Sequence, residues 1–170
     1  MLLPRRVPAT PEEIEAVMTR YPGTDQGQVA GLAGILDFAA LWLGVLSDWL
    51  ESRGLSTGRF MALIVLTIVG EDGLAPSEIA RRIRVTRATV TGLIDGLEAE
   101  GYVERAPSLE DRRRITIHLT VEGRALMEEL LPAHLHRISQ VMKGLTSQDL
   151  QDLRRLADRM RARTEELADA

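Results

Sequence analysis

Residues 76–120 read PSEIARRIRVTRATVTGLIDGLEAEGYVERAPSLEDRRRITIHLT, and this stretch decides the fold. Its residue patterns predict, in order, a short helix, a tight turn, a second helix, a strand, an arginine-rich tip and a returning strand. That order is typical of a winged helix-turn-helix, which places one helix in the DNA major groove and a hairpin beside it. Because several independent local signals agree, the prediction is stronger than any single motif would allow.

The predicted helix pair begins at Pro76, which suits a first helical position because its missing N–H would be unpaired there anyway. A turn over residues 84–86 follows, and Thr86 is expected to cap the second helix. Apolar residues from Val90 to Leu97 recur at helical spacing and predict the buried face, and Gly101 is expected to end the helix. The short or cationic residues that remain on this pair are the candidate DNA contacts: Ser77, Arg84, Thr86, Arg87, Ala88, Thr89 and Thr91.

The tip of the predicted wing carries Asp111 followed by three consecutive arginines. Strands are expected on either side, over residues 102–105 and 115–119, because apolar and polar residues alternate there. A narrow minor groove concentrates negative potential and attracts arginine side chains, so Arg112 and Arg113 are candidate DNA contacts. Asp111 can pair with one arginine and fix the loop. The alternative is an ordinary solvated charged turn.

The chain resembles the MarR (multiple antibiotic resistance regulator) family of bacterial transcription factors. The residues that carry the resemblance are LSTGRFMALIVL at 55–66, the helix pair at 76–97, GYVER at 101–105, Asp111-Arg112-Arg113, Leu119-Thr120 and Gly123. The resemblance extends over nearly the whole chain, residues 28–168, and the wing signature is the most specific of these motifs. The resemblance implies a DNA-binding regulator in which Asp111 holds Arg113 in the minor groove.

Composition agrees with a compact intracellular protein. The chain has 170 residues, enough for one domain with a substantial core, and no cysteine for a disulfide or a thiol switch. Its formal net charge of −4 disfavours nucleic-acid binding at first sight. Residues 76–94, however, carry four arginines against Glu78 alone. A basic face on an acidic body can bind phosphates, while the acidic remainder limits non-specific association.

Beyond this stretch the patterns predict further helices. A capping box at Thr10 predicts a short helix from Pro11 to Arg20, with a loop over residues 24–27. Longer helices are expected through residues 29–46, 59–69 and 121–142. In the last of these, Pro132 is expected to introduce a kink. In the helix over residues 121–142, the expected buried residues are Leu126, Leu130, Leu135 and Ile138. The final helix is expected to be capped by Thr146, with Asp149 as its partner.

The chain is predicted to be mainly α, a winged helix-turn-helix with N- and C-terminal helical dimerisation regions. An N-terminal extension with a short helix occupies residues 1–27, the dimerisation region residues 28–54 and 121–170, and the DNA-binding lobe residues 55–120. More apolar helix surface lies at the two ends than a small winged-helix core can cover, which predicts a two-fold homodimer. Such a dimer presents its recognition helices about 34 Å apart to an inverted-repeat operator. The alternative is a monomer with one thick core.

The apolar segment at residues 29–46 is nearly long enough to span a membrane. Asp37 in its middle, the lack of cationic flanks and the heptad spacing of its apolar residues favour a helix packed against other helices. The N-terminus also lacks the apolar run of a signal peptide, so a cytoplasmic location is expected.

A small, aromatic or phenolic effector is expected between the dimer helices and the DNA-binding lobe, since the resemblance implies such ligands. The candidate walls are Phe38, Trp42, Trp49, Phe60 and Met61. Arg105 is the candidate anion partner and also a candidate DNA contact, although it could instead brace the wing. For each aromatic residue the alternative is ordinary core packing. The rival hypothesis is a regulator without an effector, controlled by abundance or a protein partner.

No cofactor or metal is expected. His134 and His136 form an H-x-H pair, but two residues apart on a helix they face different directions. The sequence contains no nucleophile–base set, glycine-rich phosphate loop or metal motif, so no enzymatic activity is predicted.

Overall fold

The computed structural model describes residues 16–17, 19–21, 23, 25–107 and 115–168. The elements are α1 (Gln26–Glu51), α2 (Thr57–Val69), a 3-10 turn (Gly70–Asp72), α3 (Pro76–Ile83), α4 (Arg87–Ala99), β1 (Val103–Pro107), β2 (Ile115–Leu119), α5 (Val121–Val141) and α6 (Ser147–Ala168). This mainly helical chain with one two-stranded antiparallel sheet has the predicted winged helix-turn-helix order.

The helix-turn-helix forms at the predicted positions. Pro76 occupies the first turn of α3, and the helix ends at Arg84, whose backbone adopts the left-handed conformation (φ 56°, ψ 47°). The Thr86 hydroxyl then caps α4 by accepting from the backbone N–H of Thr89 at 3.1 Å. Gly101 follows the end of α4 with a φ of 77°, a conformation that favours glycine.

The core of residues 55–120 joins α2, α3, α4 and the sheet. Its fully buried side chains include Phe60, Leu63, Leu66, Ile79, Val90, Ile94, Leu97 and Ile117. The predicted apolar face of α4 is confirmed at three of its four positions, whereas Leu93 is half-buried. The core therefore fixes which face of α4 remains outside.

The sheet is the base of the wing. β1 and β2 pair from Val103↔Leu119 to Pro107↔Ile115. Leu74, just before α3, exchanges two backbone hydrogen bonds with Ile117, at 3.1 and 2.8 Å, and so ties the wing to the helix pair. The first strand was predicted over residues 102–105 but extends to Pro107, and the end of a strand tolerates the missing N–H of proline.

Helix α1 is longer than predicted, and part of its apolar surface is exposed in a single chain. It begins at Gln26, capped by the Asp25 carboxylate, where the sequence predicted a loop. Within a single chain, seven of its apolar residues are between 37% and 65% exposed: Leu32, Ile35, Leu36, Phe38, Leu41, Leu43 and Val45. By length and composition alone α1 could cross a membrane, since an 18-residue window reaches a mean hydropathy of 2.0.

The chain divides into two compact units, Met1–Met127 and Glu128–Ala170. Helix α5 runs through Pro132 as one continuous element, and its Leu135 is 55% exposed rather than buried. The predicted cap of α6 is confirmed, because the backbone N–H of Thr146 donates to Asp149 Oδ2 at 2.8 Å and that of Asp149 to Thr146 Oγ1 at 3.2 Å. Most of the predicted N-terminal helix lies outside the described residues, with residues 16–17 helical.

Candidate nucleic-acid interface

The N-terminal half of α4 presents a polar surface to solvent. All seven candidate contacts of the helix pair are exposed: Ser77, Arg84, Thr86, Arg87, Ala88, Thr89 and Thr91. The face is exposed because the apolar residues Val90 and Ile94 turn the opposite side of α4 into the core. Thus the structure brings the candidates from the turn and from α4 to one exposed end of that helix.

The threonine hydroxyls at this end have local partners that fix their positions. Thr86 Oγ1 and Thr89 Oγ1 lie 2.8 Å apart, and the Thr91 hydroxyl donates to the Arg87 carbonyl at 3.1 Å. A hydroxyl that donates to the backbone keeps its acceptor sites for an incoming group. These side chains therefore form a preset polar surface at the start of α4.

The arginines around the turn differ in their ionic partners. Arg81 and Arg82 both approach Glu78 Oε1, at 3.0 and 3.7 Å. Within the described part of the chain, Arg84 and Arg87 form no salt bridge. Of these four arginines, the two without a carboxylate partner in the described residues lie at the turn and at the first residue of α4, beside the exposed threonines.

Arg105 lies between two carboxylates of α4. Its Nη2 is 2.5 Å from Asp95 Oδ1, and its Nη1 pairs with Glu98 Oε2. The hydrogen bond with Asp95 raises the pKa of Arg105 above the usual value, against the opposing effect of burial, and Glu98 adds to the rise. Of the three roles that the sequence left open, bracing of the wing is the one for which the structure supplies contacts. Contacts to DNA or to a ligand stay predictions.

The candidate effector residues are distributed over several environments. Trp49 and Phe60 are buried and meet edge to face, with ring centroids 6.1 Å apart and an interplanar angle of 84°. Arg53 stacks over Trp49 at 4.8 Å from its centroid. Phe38 is 50% exposed on α1, while Trp42 and Met61 are half-buried. The structure thus joins Trp49 and Phe60 in the core, as the packing alternative predicts.

The wing tip, with Asp111, Arg112 and Arg113, lies outside the described residues. Its predicted contacts with the minor groove therefore stay predictions.

The sequence did not reveal the residues that hold α4 in place. Arg59 of α2 pairs with Glu100 at 2.5 Å, and a side chain at Gly96 would collide with the Arg59 guanidinium. Asp95 and Glu98 likewise had no recognised role. The one available signal was Gly96, since a glycine inside a helix often marks a close approach.

His134 is buried in the single chain, with 7% of its surface exposed. Burial lowers its pKa, and the charge of Arg137 lowers it further. In the described part of the molecule, no group of three or more His, Cys, Asp or Glu side chains could hold a metal ion.

Comparisons with known proteins agree on one family. The model of the MarR family matches residues 53–114. The HTH-type transcriptional repressor YetL of Bacillus subtilis is 38% identical over 129 residues, which are 76% of this chain and 77% of that protein. The transcriptional repressor MprA of Escherichia coli is 28% identical over 69% of this chain and 67% of its own. The structure of the S. aureus MepR–DNA complex superposes with a TM-score of 0.71, at 19% identity, over 83% of this chain and 99% of that one.

Proposed function

Since this chain belongs to the MarR family of transcriptional regulators, we propose that it acts as a homodimeric repressor on an inverted-repeat operator. The chain is a DNA-binding regulator and not an enzyme. The observation that carries the proposal is the exposed start of α4, where Arg87, Ala88 and Thr91 stand clear of the core. These side chains are short or cationic, as contacts with base edges require.

The two kinds of DNA contact are divided between the residues of this surface. Arg87, Ala88 and Thr91 read base edges in the major groove. They lie on the first turns of α4, which is the proposed recognition helix. The neighbouring side chains bind the phosphate backbone: Ser77, Arg84, Thr86 and Thr89. Asp111 fixes the wing tip, so that Arg112 and Arg113 enter the adjacent minor groove.

The dimer is supported by apolar side chains that one chain leaves exposed. Helix α1 exposes Phe38 and Leu41 at 50% and 65%, and the described part of α6 has no buried residue. The exposed apolar side chains of α6 recur along the helix: Leu150, Leu153, Leu156, Met160 and Leu167. Monomeric soluble proteins rarely expose contiguous apolar patches of this kind, so a second copy is the proposed cover. The regulator works in the cytoplasm, where its DNA is.

An aromatic or phenolic ligand releases the DNA by binding more tightly to a dimer whose recognition helices no longer match the operator. The proposed walls are Phe38, Trp42, Trp49, Phe60 and Met61, with Arg105 as the anion partner. One observation favours the alternative, a regulator without an effector: Arg105 is already paired with Asp95 and Glu98. Thermal unfolding of the purified protein with and without phenols or aromatic acids distinguishes the ligand-controlled regulator from the one without an effector. Only a ligand that binds the folded state raises Tm.

The experiment that tests DNA readout compares operator with random DNA. Arg87→Ala or Thr91→Ala is expected to weaken operator binding by about 1–3 kcal/mol per lost base contact and to affect random DNA less. Arg163→Ala is the matched control, since Arg163 is an exposed arginine of α6 that pairs with Glu166. Equal losses on both DNAs would reassign the residue to phosphate contact, and no loss on either would contradict the proposed interface.

A further inference from the structure

Three segments of the chain meet at Thr120, between the end of β2 and the start of α5. The Thr120 hydroxyl donates to the Gly101 carbonyl at 2.6 Å and accepts from the backbone N–H of Gly123 at 3.0 Å. The backbone N–H of Thr120 donates to the Tyr102 carbonyl at 3.1 Å. A single residue thus caps α5 and binds the chain that has just left α4. We call this group the α4–α5 junction: Gly101, Tyr102, Thr120 and Gly123.

The junction is tightly packed. Gly123 is buried, and a Cβ at this position would collide with the Tyr102 carbonyl oxygen. Tyr102 in turn donates its backbone N–H to Leu97 O at 2.9 Å, in the last turns of α4. The first turn of α5 is therefore tied to the end of α4 through backbone groups.

This connection differs in kind from the brace at Arg105. The Arg105 ion pairs lie between partly exposed side chains, which solvent and salt screen. The junction depends on hydrogen bonds between uncharged groups, two of them made by the Thr120 hydroxyl, and on the close contact of Gly123 with the Tyr102 carbonyl, so salt affects it little. It also links α4 to α5 directly, without passing through the tip of the wing.

We propose that Thr120 and Gly123 are positioning residues, which fix the recognition helix relative to the first turn of α5 and thereby set the half-site spacing that the dimer accepts. The inference rests on the proposed function, because α5 has to belong to the dimerisation region for the junction to act on spacing. Neither residue contacts DNA. Their substitution changes which operator geometry is preferred and leaves the chemistry of base readout in place.

The test uses operators whose half-sites are set at the native spacing or one base pair closer or farther apart. The full-length protein is compared with two variants. Thr120→Val keeps the branched shape and removes the hydroxyl, whereas Thr120→Ser keeps the hydroxyl. The measured quantity is the ratio of the affinities for native and altered spacing. A lower folded fraction divides out of this ratio, because both affinities come from the same preparation.

The wild-type protein and Thr120→Ser are expected to prefer the native spacing, whereas Thr120→Val loses about tenfold of that preference, which corresponds to about 1.4 kcal/mol. Gly123→Ala, which forces α5 away from Tyr102, is expected to move the preferred spacing. If Thr120→Val and Gly123→Ala both keep the wild-type preference, the role proposed for the junction is wrong, while the proposed dimeric function stands. A wild-type protein indifferent to spacing overturns the proposed dimeric function, and the junction with it.

Discussion

The role of Arg105 can be decided by removing Arg105 and its partner Glu98, singly and together. The side chains are partly exposed, at 32% for Arg105, 57% for Asp95 and 37% for Glu98. Exposed ion pairs of this kind contribute about 0.2–1 kcal/mol each. If Arg105 braces the wing, Arg105→Met should therefore lower the free energy of unfolding by about 1 kcal/mol, since methionine keeps much of the apolar stem.

The assay is a double-mutant cycle followed by urea denaturation. Wild type, Arg105→Met, Glu98→Gln and the double variant are expected to give a coupling energy of about 0.2–1 kcal/mol between residues 98 and 105. The matched control is the cycle with Glu104→Gln. Glu104 neighbours Arg105 on β1, where successive side chains point to opposite faces of the sheet, so its coupling should be near zero.

Binding of DNA gives the second measurement. A bracing arginine leaves the number of released counterions unchanged, whereas a phosphate contact lowers the salt slope by about one when it is removed. Zero coupling with Glu98, together with a loss of one ion from the salt slope, would refute the brace and restore Arg105 as a DNA contact.

Two further predictions concern the interior. The pKa of His134 is lowered in the folded chain. As the pH falls below about 6.5, the unfolded chain therefore takes up a proton before the folded chain does. The free energy of unfolding then decreases until the pH has passed the lowered pKa of the folded state. Urea midpoints at several pH values should show this loss, and His134→Gln should flatten it; an unchanged slope would contradict the assignment. Phe60 is fully buried against Trp49, so Phe60→Ala should cost about 3–5 kcal/mol of unfolding free energy, and a cost below 1 kcal/mol would instead favour a pocket wall.

The sequence predicted what short-range chemistry decides. The position of Pro76 in α3, the cap at Thr86, the end of α4 at Gly101 and the Thr146–Asp149 box each depend on residues within a few positions of one another. A cap of this kind works in the same way wherever it lies in the fold. The start of α1 shows the limit, because its Asp25 cap was present in the sequence and was taken for part of a loop.

The braces around α4 could not be predicted in the same way. Arg59 and Glu100 are 41 residues apart, Arg105 and Asp95 are 10 apart, and Thr120 and Gly101 are 19 apart. Which of many arginines meets which carboxylate is decided by how the helices pack, and packing is not encoded in local spacing. A single sequence shows which charged residues are present but not which of them pair.

The heptad pattern of α1 illustrates a different limit. The pattern describes an apolar stripe whose C-terminal residues Leu46, Trp49 and Leu50 are buried within one chain, whereas its N-terminal residues Leu32 and Ile35 remain 49% and 47% exposed. Periodicity predicts that a face is covered and says nothing about which chain covers it. The part of the stripe that one chain leaves exposed therefore supports the proposed dimer.

In the described part of the chain, the braces of α4 at Arg59, Arg105 and Thr120 lie toward its C-terminal end, whereas the candidate contacts with DNA lie at its N-terminal end. Arg59, Arg105 and Thr120 contact residues between Asp95 and Tyr102. The exposed candidate contacts of α4 begin at Arg87. A helix of 13 residues is about 18 Å long between its terminal Cα atoms. A tilt of about 10° at the braced end would then move the other end by about 3 Å, as much as the whole length of a hydrogen bond. Small changes at the braces would therefore shift the proposed contacts at the start of α4 relative to the DNA, which is why substitutions far from DNA should alter the preferred operator geometry.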